Sequence, residues 1–254
     1  MRPDHPIRYR PAPGGESGLH IDGVPARDLV EQFGSPLYAY SSAALSERFN
    51  TIRSAFASVN PLICYAVKSC PNLGVLRHMT SLGAGFDVVS GGELFRALRA
   101  GANPERIVFA GVGKSDDELS MGIKAGVGMI NVESAHELTR LSEIATRLNK
   151  RQRVAIRVNP DIHARTHNYT NTGTPDTKFG VTPDVARDLA MREWPMVTVA
   201  GAHIHIGSPI LDLEVYAGAV RFAIEFMRSL QSAGAPIDTL DIGGGYAASY
   251  TGDR

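Results

Sequence analysis

Four times in this chain a helix-like stretch ends on a glycine and a short β-rich run follows. Gly83 precedes Phe86-Asp87-Val88-Val89, Gly101 precedes Ile107-Val108-Phe109, Gly126 precedes Met129-Ile130-Asn131-Val132, and Gly234 precedes the run from Ile237 to Ile242. Glycine just past a helix end supplies the left-handed residue that stops the helix. The helix starts are marked as well. Ser90-Gly91-Gly92-Glu93, Ser115-Asp116-Asp117-Glu118 and Ser134-Ala135-His136-Glu137 each fit the capping-box pattern, and Thr182-Pro183 offers proline at a first helical position. The strands are continuous apolar runs, such as Val154-Ala155-Ile156-Arg157-Val158 and residues 197–206, as in parallel strands covered on both faces. Alternating units of this kind predict an α/β fold, a (β/α)8 TIM-type barrel, with an open doubly wound sheet as the alternative.

Strands fall ahead of Lys68, Asp87, Gly111, Asn131, Asn159, His205 and Gly243, which makes seven, and an eighth is expected to be missing before Arg254. The predicted division is a leader over residues 1–41, with a strand at Leu37-Tyr38-Ala39-Tyr40 outside the barrel, and the barrel over residues 42–254. A polar loop over residues 159–180 exceeds the usual loop length, as functional loops often do.

Composition narrows the partners. The chain has 254 residues, 43% of them hydrophobic, with 26 basic against 26 acidic side chains. That balance supplies no electrostatic reason to expect nucleic acid or an anionic membrane. The first residues are polar and lack the apolar core of a signal peptide, and no later run is long enough to span a membrane. Two closely spaced cysteines, Cys64 and Cys70, read as reduced thiols in a cytoplasmic protein.

In such a barrel the strand C-termini converge on the face where active sites sit. Leu62-Ile63-Cys64-Tyr65-Ala66-Val67-Lys68 is an apolar run that delivers Lys68 to a strand tip, with Pro71 ending the strand. An amine held half out of an apolar wall loses its proton more easily and forms Schiff bases with carbonyl compounds, pyridoxal phosphate among them. Its bland alternative is a lysine that buries its stem and keeps its charge in water. Asp87 and Glu93 flank the next strand-to-helix turn, where Glu93 has a capping role with Ser90 and Asp87 stands ready to hold the amine. Asp241-Ile242-Gly243-Gly244-Gly245 closes the seventh strand with a run whose backbone N–H groups can approach a phosphate. It does not fit the dinucleotide fingerprint. His203 and His205 share one face of the sixth strand, a spacing that suits either metal ligation, as in barrel metallohydrolases, or an imidazole stacked on an aromatic cofactor.

Together these motifs resemble the fold-type III pyridoxal-phosphate decarboxylases, with the alanine-racemase-like barrel, and most of all those acting on diaminopimelate. The matching residues are Tyr65-Ala66-Val67-Lys68, residues 86–94, Asn131-Val132-Glu133-Ser134, Arg157-Val158-Asn159-Pro160, Thr166-His167-Asn168-Tyr169, Thr172-Gly173, Lys178-Phe179-Gly180, residues 203–208 and 241–245. The resemblance implies that Lys68 carries pyridoxal 5'-phosphate covalently and that Asp87 and Glu93 position its amine. It implies that His205 stacks on the ring, that Arg157 lies in the cofactor pocket, and that Ser208 with Gly243, Gly244 and Gly245 holds the phosphate; no metal is implied. The implied reaction converts meso-diaminopimelate to L-lysine and CO2, in a homodimer acting on a small amino acid. Alternatives are a decarboxylase of the same fold for ornithine, arginine or lysine, or a cofactor-binding module without activity. The family pattern departs at Ser69-Cys70, where Ala-Asn is common, and at Pro209, where Gln is common. The family also continues into a Glu-Pro-Gly-Arg stretch and a β-rich C-terminal domain that this sequence does not contain.

Overall fold

The computed structural model describes residues 5–11, 17–160 and 179–248. Ahead of the main sheet, β1 (Ile7–Pro11), β2 (Ser17–Ile21) and β3 (Val24–Pro25) form a small antiparallel sheet, followed by α1 (Ala26–Phe33). Asp22 and Gly23 join β2 to β3 with φ of 50° and 87°, the two-residue turn whose twist matches that of paired strands. The strand expected at Leu37-Tyr38-Ala39-Tyr40 does not form. An isolated strand leaves its N–H and C=O groups without a ladder, and among the described residues no strand pairs with this segment. The leader's strands lie earlier, where the Asp22-Gly23 turn brings partners together.

The seven strands expected from the sequence are all present in the expected places. They are β4 (Cys64–Ala66), β5 (Gly85–Val88), β6 (Ile107–Phe109), β7 (Met129–Val132), β8 (Gln152–Arg157), β9 (Val197–His203) and β10 (Thr239–Asp241), hydrogen-bonded in chain order and parallel throughout. The helix α2 (Ser42–Ala55) precedes β4. Between successive strands run α3 (Leu73–Ser81), α4 (Gly91–Arg99), α5 (Asp116–Ala125), α6 (Ala135–Leu148), α7 (Pro183–Met191) and α8 (Leu213–Ser232). None of these helices is long and apolar enough to cross a membrane.

The helix starts obey the caps read from sequence, with one variation. Ser115 and Glu118 form a complete capping box on α5. On α4 and α6 the serines Ser90 and Ser134 accept from the third helical N–H as expected, but the glutamates reach one residue further back. Glu93 accepts from Val89 N–H at 2.9 Å and Glu137 from Glu133 N–H at 3.2 Å. Both therefore clamp the strand-to-helix turn itself.

The sheet is strongly curled. Neighbouring strands lie about 4.8 Å apart, so β7 and β10, three places apart in a flat sheet, would be separated by roughly 14 Å. Yet Asn131 on β7 donates from Nδ2 to Asp241 Oδ2 on β10 at 2.8 Å, a reach that requires the sheet to wrap around its own interior. The wrap sorts the side chains. Phe86, Val88, Ile107, Phe109, Ile130, Val132, Val154 and Ile156 point outward into the helices and make the core with Leu76, Leu94, Leu138 and Leu141. Their alternate neighbours Asp87, Asn131, Arg157, His203 and Asp241 are left on the inner side.

Because Leu138 is fully buried in that core, Leu138→Ala should destabilise the fold by about 2–5 kcal/mol in denaturant titration. Leu213→Ala, at a side chain 73% exposed, should stay within about 0.5 kcal/mol of wild type.

Candidate active site

The C-terminal ends of β4 to β10 bring most of the predicted residues to one mouth. Lys68 lies in the single 3-10 turn Val67–Ser69 that follows β4 directly. The expected strand-tip placement holds, but the residue is exposed rather than half sunk in an apolar wall. That turn is closed by Cys70 N–H donating to Val67 O at 3.1 Å and by Ser69 Oγ donating to Ala66 O at 2.7 Å.

Asp87, on β5, has its Oδ1 buried with no hydrogen-bond partner. Burial, then the nearby charge of Asp241, pushes its carboxyl up to about 6; Lys68 pulls it down and Glu93 adds to the rise. Lys68, Asp87 and Glu93 are thus close enough to feel one another's charge, although Glu93 spends one oxygen on the Val89 N–H.

Arg157, at the end of β8, is 5% exposed and donates from Nη1 to both carboxylate oxygens of Glu133, at 2.8 and 3.1 Å. Its other nitrogen donates to His205 O at 3.2 Å, and its guanidinium lies 4.6 Å from the Phe179 ring centroid. Glu133 also accepts from Gly180 N–H at 3.0 Å, which anchors the return of the long loop. The Thr166-His167-Asn168-Tyr169, Thr172-Gly173 and Lys178 parts of that loop lie outside the described residues.

His205 sits just past β9. Burial, then the charge of Arg157 and the nearby His203 and Lys68, pushes its imidazole down to about 3, so the ring is neutral at physiological pH. Gly244 N–H points to its Nδ1 at 3.4 Å. His203 is buried on the same face with Nδ1 unpartnered, and burial lowers its proton affinity too. Among the described residues, no group of three or more His, Cys, Asp or Glu side chains is arranged to hold a metal.

Beside His205, the turns after β9 and β10 touch. Gly243 has φ +67°, and a Cβ there would lie 2.4 Å from Ile204 O and 2.9 Å from His205 Nδ1. Gly245 has φ +91°, and a Cβ there would meet Gly207 O at 2.1 Å. Only glycine fits either place. Ile210 N–H donates to Gly245 O at 2.7 Å, so exposed Ser208 is held next to the glycine turn.

Comparison with known proteins places the chain in a family. The family model described as pyridoxal-dependent decarboxylase, pyridoxal binding domain, matches residues 42–254. The chain belongs to this family. It is 46% identical over 238 residues to a diaminopimelate decarboxylase of Aquifex aeolicus, covering 91% of this chain and 55% of that protein. The crystal structure of diaminopimelate decarboxylase from Helicobacter pylori complexed with L-lysine superposes with a TM-score of 0.87 at 37% identity, covering 90% of this chain and 59% of that one. A lysine/ornithine decarboxylase from Vibrio vulnificus complexed with cadaverine reaches 0.75 at 24% identity over 89% of this chain and 57% of that one, a likeness of fold alone. The chain spans about half the length of the curated relatives it matches.

The family's cofactor is pyridoxal phosphate, and the residues here fit it. There is an amine at a strand tip, an unpartnered buried carboxylate oxygen beside it, a neutral imidazole, and a glycine cradle with no room for side chains. Three participants carried no assigned role in the sequence reading. Asn131 and Glu133 belong to the matching run Asn131-Val132-Glu133-Ser134, which names no partner for either, and their partners Asp241 and Arg157 lie on other strands. Lys114, 1% exposed at its side chain, bonds Glu137 at 2.6 Å and the carbonyls of Gly111 and Asn131 at 2.7 Å each, and nothing local announces that burial.

A folded-state acid held above its unfolded value of 3.8 favours folding only while protonated, so its contribution is lost as pH rises through about 6. Asp87→Asn should therefore raise the melting temperature of the cofactor-free protein, and by more at about pH 7.5 than at about pH 5. An equal or larger gain at the lower pH would contradict the assignment.

Proposed function

We propose that this chain is the cofactor-binding part of a diaminopimelate decarboxylase, which converts meso-2,6-diaminopimelate to L-lysine and CO2. The observation that carries the substrate assignment is the 46% identity to a diaminopimelate decarboxylase, against 24% to the lysine/ornithine enzyme of the same fold. Lysine as the ligand of the Helicobacter pylori structure is consistent with product binding at the corresponding site. On this reading the protein acts as a cytoplasmic homodimer on a small amino acid, and its two unbridged cysteines accord with a reducing compartment.

The residues divide the work as follows. Lys68 would hold the cofactor through its amine, and its exposed place at the mouth leaves that amine accessible. Asp87, with Glu93, would orient the Lys68 amine, and an unpartnered carboxylate oxygen on Asp87 supports that role. His205 covers the ring as a neutral imidazole, so it adds no positive charge against the ring face. Arg157 acts behind it, with its charge satisfied by Glu133 and its spare N–H fixing the His205 carbonyl. Ser208 and residues 243–245 receive the phosphate. When bound, pyridoxal phosphate supplies the electron sink for the carbanion left by loss of CO2, and the protein supplies orientation and electrostatics.

The test is covalent capture followed by a substrate panel. Borohydride reduction of the protein with pyridoxal phosphate should place the adduct on the peptide containing Lys68, and Lys68→Ala should carry none. The full-length protein should release CO2 from meso-diaminopimelate at least about tenfold faster, in kcat/KM, than from ornithine, arginine or lysine. An adduct that survives in Lys68→Ala, or preference for another amino acid, would overturn the corresponding half of the proposal.

A further inference from the structure

The glycine turn after β10 lies beyond the strand ladder, and what holds it comes from side chains. Asp241, the last residue of β10, accepts from Gly243 N–H through Oδ1 at 2.8 Å. Its other oxygen accepts from Asn131 Nδ2, also at 2.8 Å, from across the barrel interior. Gly243 then packs with its Cα against Ile204 O and the His205 ring, and the next N–H, that of Gly244, is aimed at His205 Nδ1. From behind, Tyr216 Oη donates to Ile242 O at 3.2 Å. One carboxylate thus links β7 to the first glycine of the turn, and the turn in turn contacts the His205 ring.

We propose that Asp241, braced by Asn131, is a positioning residue for the cofactor's phosphate: the strut Asn131–Asp241–Gly243 sets the conformation of residues 243–245 that receives it. This rests on the reading that the turn binds that phosphate. A carboxylate near a phosphate site would ordinarily repel the anion, but both oxygens of Asp241 are spent on donors inside the barrel. Its charge also faces the imidazole of His203, which lies in register beside it on β9. The brace is asymmetric in a useful way. Asn131 Oδ1 is buried without a partner, so rotating that amide would present an acceptor in place of the donor.

The experiment compares pyridoxal phosphate with pyridoxal, which lacks the phosphate, in the full-length protein. Dissociation constants are read from the visible band of the Lys68-bound cofactor, with cofactor-free melting temperatures recorded alongside. Asp241→Ala and Asn131→Ala should weaken pyridoxal phosphate by about 10- to 100-fold, the range for losing a hydrogen bond to a charged group. Pyridoxal should change by less than about threefold, well under 1.4 kcal/mol. Asp241→Asn should keep affinity for both within about threefold, because the Asn131 amide can turn to accept. The reciprocal pair Asn131→Asp with Asp241→Asn should do the same with the bond's polarity reversed. Equal losses for the two ligands, or no loss in Asn131→Ala, would overturn the proposal, and this second variant decides the matter if Asp241→Ala does not fold. Absence of a reducible Lys68 adduct in the wild type would instead sink the cofactor reading itself.

Discussion

Arg157 and Glu133 are both about 95% buried at the ends of neighbouring strands, and neither charge is tenable there without the other. Replacing such a pair by apolar residues often costs nothing, whereas stranding one partner costs about 3–5 kcal/mol. The pair is therefore better understood through what it arranges than through net stability. Glu133 reaches from the end of β7 to the backbone of Gly180, so the residues that lead into α7 are tied to the same end of the sheet. Arg157 reaches from β8 to the carbonyl of His205 on the next turn. Three successive units are tied together through this one ion pair, which also fixes the backbone carbonyl of His205.

The same interior is crowded with acid. Asp241 is kept ionised by its neighbour His203 and by the donors Asn131 and Gly243. Burial, and after it the charge of Asp241, pushes up both Asp87 and the Cys64 thiol, the latter to about 12. Cys64 is thereby an inert filler of the barrel. Asp87 is held in a state that folding alone would not choose, with a carboxylate oxygen facing no donor. Residues of this kind are stability given up for function. They become favourable once a cation or a bound group arrives beside them, and Lys68 is the cation within reach.

The sequence disclosed the repeating units because each carries its own local marks. Glycine C′ residues and serine caps act within one turn of helix, and they fall in phase with apolar runs that need no knowledge of the rest of the chain. The leader was misread for the converse reason. The apolar run at Leu37-Tyr38-Ala39-Tyr40 looks like a strand but has no pairing edge, while the polar-looking hairpin around Asp22-Gly23 carries the stronger turn signal. Asn131, Glu133 and Lys114 escaped for a different reason. Their partners are on other strands or helices, and only the curl of the sheet brings those partners within hydrogen-bond distance. For Glu93 the local capping pattern marks the helix start correctly, but its carboxylate takes the Val89 N–H, one residue before the Ser90 N–H that a capping box would give it.

Local closure also explains how the departures from the family pattern are absorbed. Both fall in turns just past strands, where a substitution alters the connection and leaves the ladder intact. After β4, the Ser69 hydroxyl donates to Ala66 O, and Cys70 closes the turn with its backbone N–H, which any non-proline residue could supply. Lys68 is thus carried on a turn fastened at both ends despite the changed side chains. After β9, Pro209 has no N–H to give, and the contact with the glycine turn is made by Ile210 N–H to Gly245 O. The strand ends that aim Lys68, Asp87, Arg157 and His205 are untouched by either change. A sheet built this way can take new side chains in its turns while Asp87, Arg157 and Asp241, fixed by strands and cross-strand pairs, keep their places.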